Sequence, residues 1–260
     1  MTGLDGLVAF AAGLAISVVT TPVGVSGAVF LLPVQLSVLA VPSPAVTPTN
    51  LLFNVVAGPG ALLRHRRGGG LTGPLTRLLL AGTLPGVVVG AAVRVYAVPG
   101  AQVFRLIVAA LLLPLGVWLV LRTLRRRVEP PPARMSRRGI TSLALAVGVV
   151  GGVYGIGGGS LLGPILVGRG MPVAEVAPAA LTSTFVTSIV GAGAFALLGV
   201  ATGGDIAPQW TVGLLCGLGG LVGGYLGARL QPRLPDTGLR LLLGVLAVAL
   251  AVVYTVQAVT

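Results

Sequence analysis

Charge is almost missing from the two longest stretches of this chain, and nothing else in the sequence limits its fold as strongly. Between Leu4 and Arg64 the only charged residue is Asp5, and between Ala174 and Arg229 only Glu175 and Asp205. Apolar runs of 18 or more residues are long enough to cross the hydrocarbon core of a bilayer. Of the 260 residues 8% are charged and 55% hydrophobic, against about 25% charged in an ordinary soluble domain. Too little polar surface remains to coat a water-soluble globule. We therefore expect an all-α, multi-pass integral membrane protein. Secreted, nucleic-acid-binding and soluble-enzyme roles are excluded on the same ground.

The charge that is present is basic: 17 arginines and no lysine, against Asp5, Glu129, Glu175, Asp205 and Asp236, for a net +12. In a soluble protein this would suggest nucleic acid. Here the arginines cluster in connecting loops, where the positive-inside rule accounts for them, so lipid is the expected partner and nucleic acid is not. Cys216 is the only cysteine and His65 the only histidine, which leaves no intrachain disulfide and no expected metal or cofactor site. No basic region precedes the apolar stretch Leu4 to Thr21, so a retained first span is expected rather than a cleaved signal.

Self-comparison shows a duplication. Gly24-Val25-Ser26-Gly27, followed by Pro33, aligns with Gly155-Ile156-Gly157-Gly158 and Pro164 at an offset of 131. Thr49-Asn50 aligns with Thr182-Ser183, Asn54 with Thr187 and Gly58 with Gly191 at an offset of 133, and Thr76, Arg94 and Arg105 align with Thr211, Arg229 and Arg240 at 135. Small loop insertions between equivalent helices would make the offset grow in this way. The division expected is a first membrane repeat over 1–121, a cytoplasmic linker over 122–138 and a second repeat over 139–260. The linker holds seven arginines and the run Pro130-Pro131-Pro132, which keeps it extended and out of hydrocarbon.

Each half has five apolar segments, near 4–21, 28–41, 46–63, 72–95 and 102–121, then 140–154, 160–168, 175–199, 209–228 and 237–258. The second of each set is too short to span at 1.5 Å per residue, and each follows a glycine-rich break. Each half is thus expected to open with a broken-helix hairpin followed by three spanning helices. With the linker in the cytoplasm and each hairpin returning to its starting side, the arginine-rich loops all fall inside, which makes the two repeats inverted. Inverted repeats with broken helices are a recurring plan of secondary transporters.

Non-helical backbone at membrane depth is tolerated only where protein or a cavity satisfies it. Paired interruptions in the two halves are therefore the best pointer to a midplane site. The candidates are Ser26, Gly27, Gly157, Gly158 and Gly159 at the breaks, with Ser160 after the second. Gln35, Thr49, Asn50, Asn54, Thr182, Ser183 and Thr187 join them as polar side chains near or within spans. Asn50 and Asn54 lead, because an unpaired amide in hydrocarbon is costlier than a hydroxyl. Packing glycines and interhelical hydrogen bonds remain the competing reading. No carboxylate lies well inside a span, so a site of neutral donors suits a small anion. Arg94 and Arg105 sit at span ends, where snorkelling anchors are the commoner case.

With these motifs in hand, the chain resembles the sulfite exporter TauE/SafE family of membrane permeases. The likeness lies in the duplicated pattern of a glycine break, a proline about five residues on, a short loop, a hydroxyl- or amide-bearing helix start and a Gly/Ala stretch. Gly155 to Ser160 with Pro164 is the closer copy, and Gly24 to Gly27 with Pro33 the degenerate one. The resemblance implies transport of sulfite, sulfonates or related sulfur oxyanions across a bacterial inner membrane, with a small anionic substrate as partner and a homodimer left open. The rival classes are an anion channel and a membrane scaffold that transports nothing. No enzyme is expected, since no His or Asp/Glu/Cys group lies at depth.

Overall fold

The structure, a computed structural model, describes residues 3–23, 25–43, 45–65, 72–97, 101–125, 135–169, 171, 173–202, 206–230 and 235–259. Every regular element among them is helical: α1 (Gly3–Thr20), α2 (Ala28–Pro33), α3 (Val46–His65), α4 (Pro74–Tyr96), α5 (Ala101–Leu124), α6 (Arg137–Tyr154), α7 (Gly159–Gly168), α8 (Val173–Thr202), α9 (Trp210–Leu230) and α10 (Asp236–Val259). Five of these, α1, α3, α4, α8 and α9, are long and apolar enough over their described residues to cross a membrane. Arg66, Arg67, Asp205, Arg233 and the middle of the linker lie outside the described residues, as do the side chains of Arg105 and Arg240.

Local chemistry sets the helix ends. Ser136 caps α6 by accepting a hydrogen bond from the Gly139 N–H, and Pro74 opens α4 at a position where its missing N–H costs nothing. Gly155 ends α6 in the left-handed conformation, at φ 70°, which a residue without Cβ adopts freely. The first return helix is less regular than its sequence suggests. After six α-helical residues it widens into a π-helical turn, Val34–Val38, and stops there rather than at 41. Ala40, at φ 50°, reverses the chain.

Packing runs across the two halves more than within them. α1 packs on α9, α4 on α6 and on α8, α3 on α8 and α9, and α5 on α10. This set of pairs is unchanged when α1–α5 are exchanged for α6–α10. Glycine stripes make the closest crossings: a Cβ on Gly82, Gly86 or Gly90 would strike backbone of α6, and one on Gly148 or Gly152 would strike α4. In lipid, where apolar contact alone gives helices little reason to associate, such small residues let backbones approach.

The same neighbours give direction. Gly219, Gly223 and Gly227 meet Phe10, Leu14 and Val18 in that order, so α1 and α9 run parallel. Gly58 meets Phe185 while Gly191 meets Leu51, so α3 and α8 run antiparallel. Gly116 meets Val248 while Gly244 meets Val120, and α5 and α10 are antiparallel too. Around an apolar core, burial departs from that of a soluble protein in two ways. Leu197, Val200, Val245 and Val256 face outward, while Asn50, Asn54, Thr83, Ser183 and Thr187 are buried, as expected where the surroundings are hydrocarbon.

Candidate functional site

The two glycine breaks meet around one side chain. Asn54, near the middle of α3, accepts a hydrogen bond through Oδ1 from the Ser26 hydroxyl of the first break. Its Nδ2 donates to the Gly155 carbonyl of the second break, 3.4 Å away. One turn earlier, Asn50 Nδ2 donates to the Ala28 carbonyl at 3.0 Å, while its Oδ1 is buried and makes no hydrogen bond. Both amides face the breaks because positions 50 and 54 share one helical face.

The second break is tightly filled. Gly155 and Gly157 both hold φ 70°. A Cβ on Gly155 would run into the Thr47 carbonyl, one on Gly159 into the Ala180 carbonyl, and one on Gly158 into the Thr83 methyl. The Gly158 N–H donates to Thr187 Oγ1 at 3.1 Å, and Ser160 Oγ donates to the Ile156 carbonyl at 2.6 Å and lies 3.4 Å from Thr184 Oγ1. Thr83 and Ser183 share a hydrogen bond of 3.1 Å between α4 and α8.

The first break borders a cavity of about 30 Å³, room for a water or two. Ser17, Thr21, Ser26, Asn54 and Thr184 supply its polar wall, and Phe53, Leu181 and Phe185 its apolar one. The Ala28 N–H, the first donor of α2, lies 3.2 Å from Ser26 Oγ. In this conformation the side chains at both breaks therefore bond the backbone donors themselves.

A duplicated glycine break joined through a buried asparagine, on a bundle whose pairings are the same for both halves, is the setting for the comparisons with known proteins. The family model described as Sulfite exporter TauE/SafE matches residues 9–254. The chain belongs to this family. No curated protein and no solved structure matches it. As a TauE/SafE protein it is a multi-pass membrane protein of a transporter family whose description concerns sulfur-related anions.

The TauE/SafE chain brings most of the expected site residues together. Ser26, Gly27, Asn50, Asn54, Gly157, Gly158, Gly159, Ser160, Ser183 and Thr187 all sit at or between the breaks. Three stand apart. Thr49 Oγ1 donates to the Ala45 carbonyl at 2.7 Å and accepts from the Gln209 N–H at 2.8 Å, which ties α3 to the start of α9. Thr182 is half-buried and donates to the Pro178 carbonyl at 2.8 Å. Gln35 is buried beside Cys216 on α9.

One side chain that matters here was not singled out in the sequence, and another is placed differently from its expectation. Thr184 lines the first break's cavity and reaches Ser160 of the second; its signal is the small-residue stripe Ala180-Thr184-Ser188, spaced by four. Arg94, expected as a snorkelling anchor, is fully buried. Its Nε donates to Thr47 Oγ1 at 3.1 Å and its Nη2 to Ser43 Oγ, and Thr47 Oγ1 in turn donates to the Val153 carbonyl at 3.2 Å. The signal was again spacing. Arg94 continues the Gly82-Gly86-Gly90 stripe, so it faces α6 and not lipid.

Proposed function

We propose that this protein is a secondary transporter that carries a small sulfur oxyanion, such as sulfite or a sulfonate, through a site between its two glycine breaks. The observation that carries the reading is Asn54, one buried amide bonded to both breaks near the middle of the bundle. Neutral donors converge there: the amides of Asn50 and Asn54, the hydroxyls of Ser26, Ser160, Thr184 and Thr187, and the backbone N–H groups of the breaks. An oxyanion offers several acceptors at once, and each neutral hydrogen bond contributes about 0.5–1.5 kcal/mol net, so recognition needs several together. The bonds that Ser26 and Thr187 now make to break N–H groups would exchange for bonds to the anion, which widens the present cavity.

In this reading residues 1–121 and 139–260 are inverted repeats around that site. The antiparallel runs of α3 against α8 and of α5 against α10 support it, because each pair joins equivalent helices. With the linker in the cytoplasm of a bacterial inner membrane, Arg64, Arg77, Arg122, Arg125, Arg137, Arg169 and Arg229 lie at the inner end. The test is a panel of sulfite, sulfonates, thiosulfate and sulfate, read as thermal stabilisation of purified protein and as flux in proteoliposomes. Stabilisation and flux with one or more of them is the expected result. A flat melting temperature with no flux across the panel would overturn the assignment.

A further inference from the structure

We infer that Gln35 and Cys216 form the next station on the permeation path, between the central cavity and the face of the membrane opposite the linker; this rests on the transport reading above. Gln35 is fully buried, and neither its Oε1 nor its Nε2 finds a nitrogen or oxygen partner. The Cys216 thiol beside it is a weak partner at best. Buried amides are normally satisfied, and one that is not calls for a reason, an ordered water or a ligand among them. The second half shows that the hairpin does not need this amide. Leu166 occupies the equivalent position, at the offset of 131, and is equally buried. The polar group is an addition made in one repeat only.

Its position gives it a use. Gly220 and Gly224 of α9 line the central cavity, and Cys216 lies four residues before Gly220 on the same face, about 6 Å nearer the start of α9. That start meets the Thr49 end of α3, which is the end remote from the linker. Gln35 projects from the π-helical turn Val34–Val38, and such irregular turns often mark functional positions in helices. An anion leaving the cavity along α9 meets small residues and then this one amide, whose Nε2 can replace a lost water.

The native cysteine makes the path measurable. A small, membrane-impermeant methanethiosulfonate is applied to oriented proteoliposomes from each face, and anion flux is measured alongside. Labelling of Cys216 from the face opposite the linker is expected, about tenfold faster during transport than at rest. The Cys216→Ala chain, which has no cysteine, takes no label and sets the background. Gln35→Leu is expected to keep or raise the melting temperature while flux falls about tenfold, and Gln35→Glu, which sets a negative charge on the path, lowers it further. A structural role alone predicts the reverse for Gln35→Leu, with flux unchanged. No labelling from that face under any condition, or wild-type flux in Gln35→Leu, overturns the inference. Labelling of Cys216 in a wild-type protein that moves none of the four anions would instead overturn the transport reading and leave the path standing for another cargo.

Discussion

The two glycine breaks perform the same topological task with different degrees of closure. The second has a glycine at 155, 157, 158 and 159, two of them left-handed, and neighbouring backbone or methyl groups occupy the space where Cβ atoms would be. The first contains Ser26 where the second has Gly157, and it borders a cavity with a hydroxyl and amide wall. Glycine richness here measures how closely the backbone is approached, not how much open space lies beside it. The copy that drifted from the glycine pattern kept the room.

The largest effect expected from this contrast is at Gly159. A methyl there would collide with the Ala180 carbonyl, a backbone atom held inside α8. Gly159→Ala should cost more than about 3 kcal/mol and leave little monodisperse protein in detergent size-exclusion; a normal yield would mean that the second break is looser than described. Next comes Asn54→Ala, which removes the one side chain bonded to both breaks. Two lost hydrogen bonds predict about 2 kcal/mol of destabilisation. Flux should fall by about a hundredfold, equivalent to about 2.7 kcal/mol, and flux that falls no more than the amount of folded protein would reduce Asn54 to a structural tie.

Thr83 separates hydrogen bonding from packing at the tight break. Thr83→Val keeps the methyl against Gly158 and loses the bond to Ser183, for an expected cost of about 1 kcal/mol in thermal unfolding. A loss several times greater would show that the α4–α8 bond, not shape, holds the break. The smallest effect belongs to Gly27→Ala in the first break. Its new methyl would sit 3.0 Å from the Ile16 Cγ2 and 3.2 Å from the Ser17 hydroxyl, both side-chain atoms that can shift. A melting temperature within about 2 °C of wild type is expected; a collapse equal to that of Gly159→Ala would erase the difference between the breaks.

Much of this architecture could be read from the chain because its signals are local. Apolar runs between charges located the long helices to within a few residues, and the glycine breaks located both hairpins. Self-comparison paired Asn54 with Thr187, and both bond the second break, Asn54 at the Gly155 carbonyl and Thr187 at the Gly158 N–H. Depth and facing were less legible. Arg94 reads as a span-end anchor until the glycine stripe below it is seen to face α6. Thr184 lies beside Thr182 and Ser183 in sequence, and only the 100° step of the helix decides which hydroxyl turns toward the cavity. The π-helical turn at Val34–Val38 left no mark, since nothing in Val-Gln-Leu-Ser-Val departs from an ordinary helical composition.

The cross-half pairing of α1 with α9 has a consequence for how the protein is made. α1 ends at Thr20 and its partner begins at Trp210, so the first helix reaches lipid about 190 residues before the surface it packs against exists. At roughly 5–20 residues per second of synthesis, that is on the order of 10–40 s. During this interval the glycine-bearing crossing cannot form, and the only neighbours available to α1 are lipid, the translocation machinery and its own half. The first repeat released alone should therefore be a substrate for membrane proteolysis. The two repeats made as separate chains and produced together should rescue one another.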